Sequence, residues 1–239
     1  MIRINKYLSL CGVTSRRGAE ALIEQRRVVL NDVAIVKPGI VIDEASDVVK
    51  VDGVVVTPVE EKVYVVLNKP TNVMTTLHDP FKRRTVRHYL KGLKHRVYPV
   101  GRLDCDAEGV LILTNDGDLA YRLAHPKFGV QKVYEAKVRG AFKQSDAQTI
   151  SNGIKLDDGY VGRADVNVLK FLPRLTRIRL VLTEGRKREV KQLCKNVGHP
   201  VEELVRIQFA SITLKNLRRG QWRFLTDREV SRLKQLVGL

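Results

Sequence analysis

The chain has 239 residues, enough for one large domain or a small one beside a medium one, and 44% of them are hydrophobic, which excludes general disorder. Its 43 Lys and Arg against 26 Asp and Glu give a formal charge of +17, an excess that calls for a polyanionic partner, nucleic acid first and an anionic membrane surface second. No apolar run approaches the roughly 18–20 residues of a spanning helix, and Met1-Ile2-Arg3-Ile4-Asn5-Lys6 is too polar for a signal peptide, so a soluble, cytoplasmic chain is expected.

Residues 1–59 read as a small module. Ile4, Tyr7, Leu8 and Cys11 recur at helical spacing and Gly12 ends that helix. Ser15 can cap a second helix whose apolar face is Ala19, Leu22 and Ile23. The period then changes to short β runs. Residues 28–30 and 33–35 flank Asn31-Asp32, and residues 48–51 and 54–56 flank Asp52-Gly53, the strongest short hairpin signal in the chain. Residues 1–27 hold six cations (Arg3, Lys6, Arg16, Arg17, Arg26 and Arg27) against two acids, whereas residues 28–59 hold two lysines against five acids. Basic helices beside acidic hairpins fit one RNA-facing surface, and equally a solvated basic face.

A short polar linker is expected over residues 57–61. The larger part, residues 60–239, carries most of the positive excess. It opens with an apolar, β-branched run at 63–67 that reads as a buried strand ending in a turn at Asn68-Lys69-Pro70. Residues 79–96 interleave cations, Arg83 and Arg84 among them, with Phe81 and Tyr89. That mixture suits unpaired nucleotides through phosphate contact and base stacking, and also suits a solvated loop and helix. Gly101-Arg102-Leu103-Asp104 then places a carboxylate in a tight, glycine-bracketed turn, ahead of Cys105-Asp106-Ala107-Glu108-Gly109 and the buried-strand run Val110-Leu111-Ile112-Leu113. Such a turn can aim a side chain out of a scaffold; by spacing alone it also fits a hairpin whose Arg102 and Asp104 pair at the surface.

Thr114-Asn115-Asp116-Gly117 caps a helix running toward Leu123, which His125-Pro126 stops. Residues 132–138 are strand-like and carry Tyr134, which on bare sequence reads as cross-strand packing. Residues 176–182 alternate as another strand and lead into Thr183-Glu184-Gly185-Arg186-Lys187-Arg188-Glu189-Val190-Lys191. The following helix puts Val190, Leu193, Cys194 and Val197 on one face and cations on the other, closed by Gly198 and Pro200. A capping box, Thr226 with Glu229, opens a C-terminal helix. Cys11, Cys105 and Cys194 are odd in number and far apart, and the five histidines show no ligand spacing, so no disulfide framework and no metal site are expected. Cys105, beside Asp104 but without a histidine partner, reads as a packed thiol.

Gly101-Arg102-Leu103-Asp104, with Leu113-Thr114-Asn115-Asp116-Gly117 downstream, resembles the central motif of the RNA pseudouridine synthases, in the RsuA-like branch that carries an S4 RNA-binding domain. The resemblance covers nearly the whole chain. In residues 1–59 the order of helices, basic turn and hairpins, with Ser15-Arg16-Arg17 opening the second helix, is similar to the S4 domain. That likeness implies binding of structured RNA by shape and phosphates, with Arg3, Lys6, Arg16, Arg17 and Arg26 as contacts. Lys69-Pro70 resembles the short Lys-Pro motif near the start of the catalytic domain, and Lys69, Arg83 and Arg84 are expected to add RNA contacts. The resemblance puts the catalytic Asp at Asp104, the base-stacking tyrosine of a Lys-x-Tyr motif at Tyr134, and the basic residue of a third motif at Lys191. It puts the apolar residue of the base pocket at Leu204, and Arg102 and Arg188 are expected to bind substrate. Ala107 and Ala210 stand where many members have Thr and Gly; neither change removes a group the chemistry needs.

The fold this implies is α+β: a small S4 (αL-like) domain over residues 1–59, then a pseudouridine synthase catalytic domain over residues 60–239 with a mixed, largely antiparallel sheet. The activity it implies is isomerisation of a specific uridine to pseudouridine in ribosomal RNA, without a cofactor, by a monomer acting on the RNA or on a ribosomal-subunit assembly intermediate. Asp104 would act as nucleophile or as the base that starts glycosidic cleavage, and Lys191 would keep it charged and oriented by pairing. Tyr134 would stack on the freed base. Residues 217–222 look more like the large-subunit members, favouring 23S over 16S rRNA. The rival class is a non-catalytic S4-domain ribosome assembly or rescue factor, which explains the charge but not Asp104, Tyr134 and Lys191 in family context. Membrane-surface association lacks a long basic amphipathic helix.

Overall fold

In the computed structural model, which describes residues 1–239, the two-residue strand Ile2–Arg3, paired with Val41–Ile42, is followed by two short helices. Ile4–Leu10 buries Ile4, Tyr7 and Leu8 and stops where Gly12 takes φ +74°. Arg16–Glu24 starts at Ser15, whose hydroxyl accepts the Gly18 N–H at 3.0 Å, and buries Ala19 and Ile23. Two hairpins follow: Val28–Leu30 pairs with Val33–Ala34, Val49–Val51 pairs with Val54–Val55, and the first strands of each pair with one another. Both turns hold their central residues in the left-handed region, Asn31 and Asp32 in one, Asp52 and Gly53 in the other. That is the twist a two-residue hairpin requires. Ile4, Leu8, Ile23, Val28 and Ile42 form the core of this unit, Met1–Lys62.

Val63–Leu239 is a second unit, built on a nine-stranded sheet. Across it run Asp165–Leu172, Leu175–Leu182, Lys132–Arg139, Val201–Phe209, Glu108–Thr114, Tyr64–Lys69 and Trp222–Phe224, with Tyr98–Pro99 and Ile212–Thr213 as short additions. All neighbours are antiparallel except one pair: Val201–Phe209 runs parallel to Glu108–Thr114. The fold is therefore α+β with a mixed, mostly antiparallel sheet. The strand Glu108–Thr114 is buried along its whole length. Helices Gly117–Ala124 and Asp227–Leu236 contribute Leu119, Leu123 and Leu233 to a core with its Val110 and Ile112. Helices Gln144–Asn152 and Glu189–Asn196 pack Ile150, Leu193 and Cys194 against Ile178 and Leu180. No helix is long and apolar enough to cross a membrane.

The end of the strand Tyr64–Lys69 differs from expectation. The strand Tyr64–Lys69 runs through Asn68 and Lys69, where a turn was expected, because its pairing with Glu108–Thr114 holds as far as Lys69 opposite Gly109. Asn68 is fixed further by its N–H to the Gln221 carbonyl at 3.0 Å and its side-chain amide to the Leu217 carbonyl at 2.9 Å.

The C-terminal helix begins with the expected capping box: Thr226 Oγ1 accepts the Glu229 N–H at 3.3 Å, and Glu229 Oε2 accepts the Thr226 N–H at 3.0 Å. Glu229 also receives Arg223 (2.7 and 2.9 Å) and Lys215 (3.0 Å). Arg223 foremost, with the Thr226 N–H and Lys215, holds this carboxyl down to about 2 against the upward push of burial. The stability gained from a depressed carboxyl is present above its ordinary value of 4.5 and is lost as pH falls toward 2. Glu229→Gln is therefore expected to lower the unfolding free energy by about 1–2 kcal/mol at neutral pH. The gap to wild type should close through that acid window, as read by urea titrations at a series of pH values.

Candidate active site

The turn that carries Asp104 is held through its backbone. Gly101 enters it at φ +68°, and the Ala107 N–H donates to the Asp104 carbonyl at 3.1 Å. Thr75 Oγ1 donates to the Leu103 carbonyl at 2.5 Å and accepts the Leu103 N–H at 3.2 Å. Lys69, fully buried, donates to the carbonyls of Ala107 (2.7 Å), Pro70 (2.9 Å) and Cys105 (3.3 Å). Burial pushes its ammonium down to about 8, with Cys105, Asp106 and Asp104 pulling the other way. The turn ends at Gly109, φ +114°, where a Cβ would lie 2.2 Å from the Arg206 carbonyl oxygen. A glycine is needed there for the central strand to meet Val201–Phe209 side by side.

This turn forms one wall of a cleft that Arg102, Asp104, Tyr134, Arg188, Lys191 and Leu204 all line. The structure thus brings together the six residues expected in catalysis and substrate binding. Tyr134 comes from Lys132–Arg139 and stands opposite Arg206 on Val201–Phe209, while Ala136 stands opposite Leu204. The register shifts between Val133 and Tyr134 because Val201–Phe209 carries an extra residue there, Ile207, a bulge that bends that strand beside Arg206. Lys191 lies on Glu189–Asn196, and Arg188, at φ +54°, is the residue that starts that helix.

The half-buried Asp104 makes no side-chain hydrogen bond or ion pair within the chain. The expected pairing of Lys191 with Asp104 is corrected: the Lys191 ammonium contacts Asp106 Oδ2 instead, with Arg188 Nη1 3.9 Å from the same oxygen. The turn brings Asp106, two residues further on, to the start of the helix. Burial raises the Asp106 carboxyl, but the hydrogen bond and charge of Lys191 outweigh it and hold the group below its usual range.

Other expected residues lie elsewhere. Lys69 is not an RNA contact, since its ammonium is buried among backbone carbonyls and reaches no phosphate. Cys105, read as a packed thiol, is exposed, because the turn that holds its carbonyl inward leaves its side chain outside. Arg83 is exposed and forks onto Asp79 (2.7 Å), its guanidinium 5.0 Å from the Phe81 ring centroid. Arg84 lies 5.0 Å from the Tyr89 ring centroid. In the first unit Arg3, Lys6, Arg16, Arg17 and Arg26 are all exposed.

Sequence reading missed Lys132, Glu189 and Arg206, which also line the cleft. Lys132 is buried and donates to the carbonyls of Thr183 (2.9 Å) and Val130 (3.1 Å); burial, aided by Arg206, pushes it down to about 8. Arg206, also buried, donates through Nε to the Val110 carbonyl at 2.8 Å and lies 4.8 Å from the Phe209 ring. The Glu189 carboxyl is raised by burial. A signal for two of them was present: residues two apart on a strand share a face, so Lys132 accompanies Tyr134 and Arg206 accompanies Leu204. The result is an unpaired carboxylate and an aromatic ring in a cleft ringed by cations, suited to acid–base or nucleophilic work on an anionic substrate.

Comparison with known proteins finds similar chains in one family. The profile of the RNA pseudouridylate synthase family matches residues 63–196. An uncharacterized RNA pseudouridine synthase of Aquifex aeolicus (strain VF5) is 41% identical over 239 residues, covering 100% of this chain and 96% of that protein. Ribosomal large subunit pseudouridine synthase B of Bacillus subtilis (strain 168) is 37% identical, covering 99% of this chain and 97% of that protein. The protein of the same name from Vibrio vulnificus (strain CMCP6) is also 37% identical, covering 99% of this chain and 76% of its own. Among solved structures, a crystal structure of a pseudouridylate synthase shares the fold with a TM-score of 0.69 at 24% identity, covering 98% of this chain and 100% of that one.

The Lys69 contacts generate a test of the turn itself. Lys69→Met keeps the length of the side chain and removes the donor from three carbonyls, so a loss of about 2–4 kcal/mol is expected. Urea unfolding measures that loss. Amide hydrogen exchange at Leu103 and Ala107 should quicken beyond what the global change explains.

Proposed function

This chain belongs to the RNA pseudouridine synthases, isomerases that convert uridine to pseudouridine in RNA, and we propose that its target is a uridine of large-subunit ribosomal RNA and that Asp104 starts the reaction. One observation carries the catalytic part: the Asp104 carboxylate lines the cleft without an internal partner, while the neighbouring Asp106 takes up Lys191.

Isomerisation conserves every atom. The N1–C1′ bond breaks, the base turns, a C5–C1′ bond forms, the C5 proton leaves and N1 ends protonated. Asp104 acts on the sugar, as nucleophile at C1′ or as the base that starts cleavage; both routes use the carboxylate. Tyr134 stacks on the freed uracil and Leu204 packs against it, which keeps the base in the cleft while it turns. Lys191 and Arg188, both turned to Asp106, leave Asp104 uncommitted and add positive potential where the phosphate backbone approaches. Arg102, exposed on the same turn, takes a flanking phosphate. Extruding a stacked uridine costs a few kcal/mol, which these charge-assisted contacts offset.

The substrate reading draws on the rest of the chain. Residues 1–59 act as the S4-type RNA-binding module of an RsuA-like enzyme, with Arg3, Lys6, Arg16, Arg17 and Arg26 free for phosphates. Residues 60–239 are the catalytic domain, whose Arg83 and Arg84 add contacts beside exposed Phe81. The relatives from Bacillus subtilis and Vibrio vulnificus, named for the large ribosomal subunit, support 23S rRNA as the target. The reaction takes place in the cytoplasm on the RNA or a subunit assembly intermediate, by a monomer and without a cofactor.

Pseudouridine mapping of rRNA from cells lacking the protein tests this reading. One site in 23S rRNA should disappear and return with the wild-type gene. Asp104→Asn should not restore it, and in vitro should lose about 10²–10⁴-fold in rate while still binding the transcript. Restoration by the asparagine variant would remove Asp104 from the mechanism; loss of a 16S site would move the target to the small subunit.

A further inference from the structure

Beyond the catalytic groups, the end of the helix Gly117–Ala124 carries a cluster of rings and cations with no task in the reaction. Ala124 lines the cleft. Past it the chain makes the 3₁₀ turn Pro126–Phe128, closed by Gly129 at φ +60°. Three rings converge there: Tyr121 and His125 have centroids 5.1 Å apart, and Phe128 meets Tyr121 edge-on at 6.1 Å and His125 at 6.5 Å. Such contacts are ordinary in a core, but Tyr121 is 52% exposed and His125 is exposed beside it. His125 Nδ1 accepts the Lys127 N–H at 3.2 Å, which holds the ring against the turn.

Two cations lie against these rings. Lys127 Nζ is 4.8 Å from the Phe128 centroid and 5.6 Å from that of Tyr121, and Arg122 Cζ is 5.7 Å from Phe128. Arg122 is already engaged, donating to the carbonyls of Val237 (2.9 Å) and Gly238 (2.7 Å). Lys127 is exposed and makes no ion pair, and the chain has no acidic residue between Asp118 and Glu135. The patch therefore offers two exposed rings and an unneutralised cation, all within three residues of Ala124 on the cleft wall.

We propose that Tyr121, His125 and Lys127 form a binding site for single-stranded RNA next to the target uridine, the rings stacking an unpaired base and Lys127 holding the adjoining phosphate. This rests on the reading that the cleft acts on an RNA strand with an extruded uridine. Extrusion leaves neighbouring bases short of a stacking partner, and exposed rings beside a cation receive any base regardless of sequence. The absence of acids along this stretch favours a polyanion over a cationic protein surface.

A short fluorescent oligouridylate, used with the full chain, tests the site independently of the ribosomal target. Ultraviolet crosslinking followed by peptide mass spectrometry should place adducts at Tyr121 or His125. Tyr121→Ala should weaken binding about tenfold, Tyr121→Phe should retain it, and Lys127→Ala should reduce the salt dependence by about one counterion. On a 23S transcript, Tyr121→Ala should raise KM with kcat held. Crosslinks that all map elsewhere, with Tyr121→Ala binding as tightly as wild type, would overturn the proposal. Whether wild-type protein modifies the transcript reports on the ribosomal reading alone, because the oligouridylate arms do not depend on it.

Discussion

A buried ammonium sets the shape of the turn on which the site depends. Lys69 has backbone carbonyls where a buried lysine would usually have a carboxylate. Taking an ammonium out of water costs several kcal/mol, and each hydrogen bond from a charged donor returns about 1.5–3 kcal/mol. The three carbonyls must therefore be in place together, and two of them, those of Cys105 and Ala107, belong to the residues that follow Asp104. The arrangement that satisfies Lys69 is the one that presents the Asp104 carboxylate to the cleft. A guanidinium would not serve, since its planar fork asks for more acceptors than the turn supplies.

Around this turn the cleft is closed by strands and a helix that pair with their own neighbours. Tyr134 and Leu204 come from adjacent strands, Lys191 from a helix whose other face is sealed in the core by Val190, Leu193 and Cys194. Rigid elements thus hold the side chains that line the cleft opposite Asp104, while the turn itself is pinned by Lys69 on one side and Thr75 on the other. The charges are sorted as well. Asp106 absorbs Lys191 and Arg188, and Lys132 and Arg206 rest on carbonyl oxygens. In this way a cleft dense with cations leaves Asp104 without a salt bridge to break.

What could be read from the sequence was what neighbours in sequence decide. Ser15, Asp116 and Thr226 cap the helices they precede, and Asn31-Asp32 and Asp52-Gly53 make the two tight hairpins, because caps and turns act over three or four residues. The six cleft residues were legible through the order of their motifs. The burial of Lys69 was not, since a lysine and a proline after an apolar run look like the end of a strand. Nor was the partner of Lys191: Asp104 and Asp106 are two residues apart, and only the folded turn decides which one meets the helix. The helix Gln144–Asn152 buries only Ala147 and Ile150, and the edge strand Asp165–Leu172 buries only Val166, so neither has the periodic stripe that marks an element.

The single parallel pair in the sheet has a kinetic meaning. Hairpins such as Asp165–Leu172 with Leu175–Leu182 close locally, whereas the contact of Gly109 with Arg206 joins strands that most of the unit separates in sequence. Loop-closure entropy delays contacts of that kind. Since chains emerge from the ribosome N-terminus first, the turn with Asp104 is made well before Lys191, and Lys191 before Leu204. A chain still in synthesis short of Val201 holds its carboxylate with no pocket around it, so the order of synthesis itself leaves the cleft incomplete until Val201–Phe209 has been made.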